Sequence, residues 1–397
     1  MIWPRYRLAA LCMCILAGCT PRPYAPRELS VDAAGEYAAR SPGLPALAQF
    51  ALHSGYEHKW PPEEWNLTEL TLLALYFSPE IRVVRAQADV ARSEIVSAGD
   101  APSLGLTPVI ERHGRETEGD GPWSLGVALD LPWVARARRE ARVERAVALS
   151  EAAELEVARA IWRARAQTRD RLIDLIDSRE RLNLLDSGLS ARRDMRALVV
   201  RRVEAGMLSA LDLSREDATL AEIESAFAAE GARLREVQVA AARAIGIPPG
   251  MFEQMTIARD ALPVRVDEIR GAAALRQVAL RNRLDVYQRL HVFAAADAEV
   301  KLAVASQYPE LTLSPGYFWD QGDSVWSLAA AIAFPPGVRA KAAIRRAEAR
   351  RELAAQRFIE LQTQVIGETE EAAARLASAR SLSQTAATQS VTAGAQL

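Results

Sequence analysis

The chain has 397 residues, of which 25% are charged and only 6% aromatic. Alanine, arginine, glutamate and leucine dominate it, the mixture expected of long amphipathic helices rather than of several compact globules. The formal net charge of -2 leaves no general basic field to attract nucleic acid and no acidic tail.

Residues 1–18 read as a targeting segment. Arg5 and Arg7 form a short basic stretch, Leu8–Leu16 is an apolar run too short to span a bilayer, and Leu16-Ala17-Gly18-Cys19 follows. That tetrapeptide resembles a bacterial lipobox, which implies cleavage before Cys19 and acylation of its thiol; Thr20 in the next position favours the outer membrane. The alternative is a plain secretory signal with an incidental cysteine. Cys12 and Cys14 leave with the signal, so Cys19 alone remains, and neither a disulfide nor a cysteine zinc site is available. Residues 19–65 hold seven prolines and little periodicity, and read as an extended, lipid-anchored tether.

A first repeat covers residues 66–245. Asn66 and Glu69 form a capping box ahead of Leu67, Leu70, Leu73 and Ala74, and Ser78-Pro79-Glu80 restarts the helix, which runs to about Ala98. A hairpin at 102–132 follows, in which Trp123, Leu125, Val127, Leu129 and Leu131 alternate with Ser124, Gly126, Ala128 and Asp130. From Ala135 to about Ala205 the period is helical, with a leucine stripe from Leu149 to Leu189 of the kind that packs side by side. The length is on the order of 100 Å, and recurring arginines and glutamates exclude a membrane span. A break at 205–209 leads into a return helix from Ala210 to about Ile245.

Gly246-Ile247-Pro248-Pro249-Gly250 opens a linker at 246–267, after which the unit begins again over 268–397. Asp285-Val286 echoes Glu80-Ile81, a second hairpin at 308–335 echoes the first, and WSLAAAIAFP from Trp326 repeats WSLGVALDLP from Trp123. The chain travels 74 residues from Pro132 to Gly206 but only 62 from Pro335 to Leu397. The return helix of the second repeat is therefore expected to be missing.

This order of elements, duplicated, together with the turn sequence from Arg202 to Leu213, resembles the TolC-like outer-membrane factor (outer membrane efflux protein) family. The lipobox and tether resemble its lipoprotein branch, and relative to the family the chain reads as C-terminally truncated. The resemblance implies a mostly α fold with a small β part: long coiled-coil-like helices forming a periplasmic α-barrel, and four strands per chain joining a trimeric 12-stranded barrel in outer-membrane lipid. It implies passive export of small molecules or metal ions, with type I secretion of polypeptides a further route, through a homotrimer served by a periplasmic adaptor (membrane fusion) protein and an inner-membrane transporter.

The same resemblance assigns the turn Gly206, Met207, Leu208 and Ser209 to adaptor contact and Asp212 to a periplasmic gate; read locally, Gly206 ends one helix while Ser209 and Asp212 cap the next. Trp123, Trp133, Trp319 and Trp326 fall near strand ends, where an interfacial aromatic belt belongs. No catalytic residue, metal site or cofactor is expected, since His53, His58, His113 and His291 lack spacing that gathers a metal or a relay, and no phosphate-binding loop or nucleophile elbow occurs. Three alternatives remain: a soluble β-hairpin packed on a helix, a periplasmic coiled-coil scaffold or adaptor whose helices bind partners while its hairpins stay soluble, and a nonfunctional remnant.

Overall fold

The computed structural model describes residues 23–27, 29, 31–114, 122–133, 136–258, 261–262 and 271–395, so the signal-like segment and Cys19 lie outside the described residues. The chain divides into two units, 1–41 and 42–397. In the first, α1 (Ala33–Ala38) begins at Asp32, whose side chain accepts the Gly35 N–H at 3.2 Å.

The second unit opens with α2 (Pro45–His53) and α3 (Leu67–Phe77), the latter started by a capping box in which Asn66 accepts from Thr68 N–H and Glu69 reaches back to Asn66 N–H. Next comes α4 (Pro79–Gly99), with Pro79 in the first turn where its missing N–H costs nothing and Ser78 Oγ accepting from Ile81 N–H. β1 (Gly105–Arg112) and β2 (Trp123–Trp133) precede α5 (Arg136–Glu204), a single helix of 69 residues, which turns into α6 (Ala210–Ile245). A short α7 (Pro249–Glu253) follows. The second repeat comprises α8 (Ala272–Asn282), α9 (Leu284–Ala305), β3 (Glu310–Asp320), β4 (Asp323–Ala333) and α10 (Gly337–Ala395).

Helix α5 is the axis: α3, α4, α6 and α9 lie along it, and α10 lies along α8 and α9. At its sheet end, past the buried Arg138, the covered positions are small, Ala141, Ala146, Ala148, Ser150, Ala152 and Ala160, which lets neighbouring helices approach closely. Of the expected leucine stripe, Leu172, Leu175 and Leu189 are buried, while Leu149 and Leu155 are only partly covered. Ion pairs stitch α5 to α6, with Arg192 on Glu216 at 3.3 Å and Arg196 on Asp217 at 2.5 Å.

The main core corrects the tether and linker expectations. Residues 42–65 are folded: Leu47 and Trp65 are buried with Leu70, Leu73, Leu172 and Leu175 at the middle of α5. Ile247, Phe252 and Met255 from the expected linker complete the same cluster. Trp65 and Ile257 form a parallel bridge, with Trp65 N–H donating to Thr256 O at 2.8 Å and Ala258 N–H to Trp65 O at 3.0 Å. The physical reason is that Pro45 starts a helix rather than breaking one, and Leu44, Leu47 and Ala51 recur at helical spacing.

The four strands make one antiparallel sheet in chain order, β1-β2-β3-β4. The second hairpin closes on Gln321 and Gly322, both at positive φ (46° and 105°), as a two-residue loop that follows strand twist requires.

Candidate functional site

Register decides what the sheet presents. Leu129 lies opposite Leu106, Val127 opposite Tyr317, Leu131 opposite Leu313, and Leu313 opposite Ala330, so the alternate residues of all four strands fall on one side. That side runs from Leu106 and Ile110 on β1 through the odd residues of β2 to Tyr317 and Trp319 on β3 and Trp326, Leu328 and Ile332 on β4. The opposite side carries Thr107, Ser124, Asp130, Ser314, Asp320 and Ser327 among glycines and alanines. Its charged residues, Glu111, Asp130, Glu310, Asp320 and Asp323, are all acidic.

No helix lies across either face among the described residues, which removes the soluble hairpin packed on a helix. Trp326 and Leu328 are 81% and 73% exposed on the apolar side. So large an uncovered apolar face marks contact with lipid or another chain. Eleven-residue strands are about 36 Å long, enough to cross a hydrocarbon layer at a tilt. No described helix is long and apolar enough to cross a membrane.

The four tryptophans sort to the two ends. Trp123, Trp319 and Trp326 lie toward the hairpin turns and Trp133 at the helix end, so an apolar band of strand separates two aromatic levels. Arg112 shares the apolar side but places its guanidinium carbon 5.8 Å from the Trp123 ring, as an interfacial cation does.

On the polar side Asp130 accepts from Thr107 Oγ1 at 2.8 Å and from Ser314 Oγ at 2.5 Å, linking β1, β2 and β3. Near the turns, Ser124 Oγ donates to Asp320 and lies 2.9 Å from His113 Nε2, which is 3.2 Å from Asp320 Oδ1. Spacing hid this trio, because Ser124 and Asp320 are 196 residues apart and only the β2–β3 register brings them together. These contacts tie the turn ends of β1, β2 and β3 together. No group of three metal-ligating side chains occurs among the described residues.

Beneath the sheet, Arg138 in the first turn of α5 is 8% exposed and donates to Ala305 O at 3.1 Å, to Tyr308 O and to Glu310, joining the first repeat's helix to the second repeat's strand. About 100 Å away by helix length, Gly206 takes φ 75° and Met207 N–H donates to Arg202 O at 2.8 Å, ending α5. Met207 is exposed, Leu208 half-buried, and Ser209 starts α6 in a capping box with Asp212. Asp212 Oδ2 accepts from Ser209 Oγ at 2.7 Å and Ser209 N–H at 3.0 Å, and these bonds hold its carboxyl below the usual range. In this chain Asp212 is therefore engaged locally.

The family model of the outer membrane efflux protein matches residues 71–246, from α3 to the end of α6. Over that span, less than half of the chain, the sequence is similar to the outer membrane efflux protein family. Members of this efflux family are membrane channels and not enzymes. The channel protein CusC is 17% identical with a TM-score of 0.64, the alignment covering 82% of this chain and 78% of that one. VceC from Vibrio cholerae is 21% identical with a TM-score of 0.62 and 75% coverage of each chain. The CmeC outer membrane channel from Campylobacter jejuni is 12% identical with a TM-score of 0.64, over 92% of this chain and 81% of its own. At such identities the likeness carries the fold: long helices with a small antiparallel sheet. A comparison with curated proteins finds no match.

Proposed function

We propose that this chain is the outer-membrane channel of a tripartite efflux system, a passive exit for small molecules or metal ions driven by an inner-membrane transporter. The observation that carries the reading is the uncovered sheet with one continuous apolar face and one polar face. Four strands leave β1 and β4 as free edges, which cannot persist in lipid, where every backbone donor and acceptor needs a partner. Three copies supply twelve strands and close the edges, with the polar face lining the lumen. Cys19 carries the lipid, the exposed turn Gly206–Ser209 meets the periplasmic adaptor, and Asp212 belongs to the periplasmic gate, exchanging its cap for a neighbouring helix pair.

The test is the native mass of the detergent-extracted protein, corrected for bound detergent. A mass about three times that of the 43.4 kDa chain is expected. A monomer would overturn the channel and favour the scaffold reading.

A further inference from the structure

The first ten residues of α5 (136–145) hold five arginines against two glutamates, net +3, and the first ten of α10 (337–346) hold Arg339, Lys341, Arg345 and Arg346 against no acid, net +4. The whole chain stands at -2, and although residues 192–202 near the far end of α5 also hold five arginines against one aspartate, these two runs stand together at the sheet end of both long helices. The concentration opposes helix electrostatics: the first turn carries unpaired N–H groups and the positive end of the helix dipole, where acids are favoured. A local rule broken in the same direction at the start of both long helices points to a demand from outside the helix.

Farther along, Arg163 meets Glu80 at 2.8 Å, Arg181 meets Asp177 at 2.9 Å and Arg351 meets Asp297 at 3.1 Å, with Arg165, Arg179 and Arg202 of α5 and Arg357 of α10 interspersed without an acidic partner among the described residues. At the sheet end Arg136 has Glu140 and Arg138 is committed to the β3 junction. Arg139, Arg142 and Arg145 of α5, and all four cations at the start of α10, have no acidic partner among the described residues. Directly ahead of these cations stand uncovered apolar groups: Trp133, Phe334 and Val338 are 69%, 75% and 81% exposed.

We propose that the sheet-proximal ends of α5 and α10 form a basic collar that binds the phosphates of anionic phospholipid headgroups in the periplasmic leaflet. The proposal rests on the sheet being membrane-embedded, as argued above. Geometry supports it: at about 1.5 Å per residue Arg139, Arg339 and Lys341 sit roughly 3–6 Å beyond the helix starts, within the 5–8 Å or so of headgroup layer outside the hydrocarbon, and the other four stand roughly 9–14 Å along, within a long side chain's reach of it. Helical side chains lean toward the N-terminus, here toward the sheet, and long cationic side chains extend to an interface while their stems cover apolar surface.

The experiment reconstitutes the full chain into phosphatidylcholine vesicles holding one part in ten phosphatidylglycerol, then measures the lipid that stays bound after mild detergent extraction. Phosphatidylglycerol is expected to be enriched roughly tenfold over the bulk, given the pull of several cations on an anionic headgroup. The enrichment should fall toward bulk in 1 M salt, where the screening length is about 3 Å. It should also fall when Arg339, Lys341, Arg345 and Arg346 are changed together to Gln, whereas Arg375→Gln, far down α10, leaves it unchanged. If that variant does not fold, Arg139→Gln with Arg145→Gln, or the salt titration on the native chain, gives the same reading. Bound lipid that mirrors the bulk while the protein is inserted overturns the collar alone. A chain that fails to enter either vesicle overturns the membrane reading, and the collar with it.

Discussion

Gly126 and Gly316 leave the polar side of the sheet flat enough for the Phe318 ring to lie across it. A Cβ on Gly126 would collide with that ring, and one on Gly316 would stand 2.7 Å from Ser327 Oγ and 2.8 Å from a Phe318 ring carbon. Glycine in a strand interior costs conformational entropy and packs nothing, so two of them under one aromatic ring mark a seat. Gly126→Ala should therefore destabilise by about 1–3 kcal/mol, the usual cost of overpacking, and Phe318→Ala in the same chain should recover at least about 0.5 kcal/mol of it. A denaturant midpoint for Gly126→Ala equal to that of the native protein would remove the steric relation. At this scale the capping boxes at Asn66–Glu69 and Ser209–Asp212 are legible by spacing, because their partners are three residues apart. Contacts that depend on strand register, such as Phe318 on Gly126 or His113 on Asp320, are not.

Among elements, the two repeats solve one problem in different ways. Where the first repeat restarts its helix with Ser78 as cap, the second has Arg283, which cannot accept the first backbone donors. Arg283 instead bridges Asp285 at 2.7 Å, in the first turn of α9, and Glu368 on α10 at 2.5 Å. Burial alone would raise the Asp285 carboxyl, but the Arg283 hydrogen bond and charge outweigh it and hold it below the usual range. Glu368 is lowered too, by Arg283 first and then by Gln364. Carboxyls depressed in the folded state contribute stability above their unfolded pKa, roughly 4, and lose it as pH falls through the folded values. The melting temperature should accordingly drop between pH 7 and pH 3, and Arg283→Met should be less stable at pH 7 yet lose less on acidification. Parallel pH curves for the two proteins would show that the bridge contributes nothing to acid sensitivity. The elements themselves were largely readable, since a 69-residue helix and an alternating hairpin announce their periods. The buried segments at 42–65 and 246–258 were not, because prolines mask short helices and a core formed from three distant stretches leaves no single periodic signal.

In the second unit as a whole, the two repeats are interleaved rather than set end to end. β2 pairs with β3 and α5 packs on α9, so both the sheet and the helical layer join first repeat to second. Arg138 sits where these two joints meet, holding Ala305 O, Tyr308 O and Glu310 from the start of α5. Its guanidinium is well placed to align the end of α9 with the first residue of β3, since planar donors reach several acceptors at fixed angles. Arg138→Met keeps the apolar stem but removes every bond, which should cost on the order of 3 kcal/mol, the scale of hydrogen bonds to charged groups that leave carbonyls unpaired. Arg138→Lys, with a single point charge, should recover only part. If the residue couples the layers, the native protein unfolds in one transition by strand and helix signals, and the Met variant separates them, the sheet persisting in detergent after the helices melt. Coincident transitions in the Met variant at the native midpoint would mean that the strands and helices are coupled by packing alone.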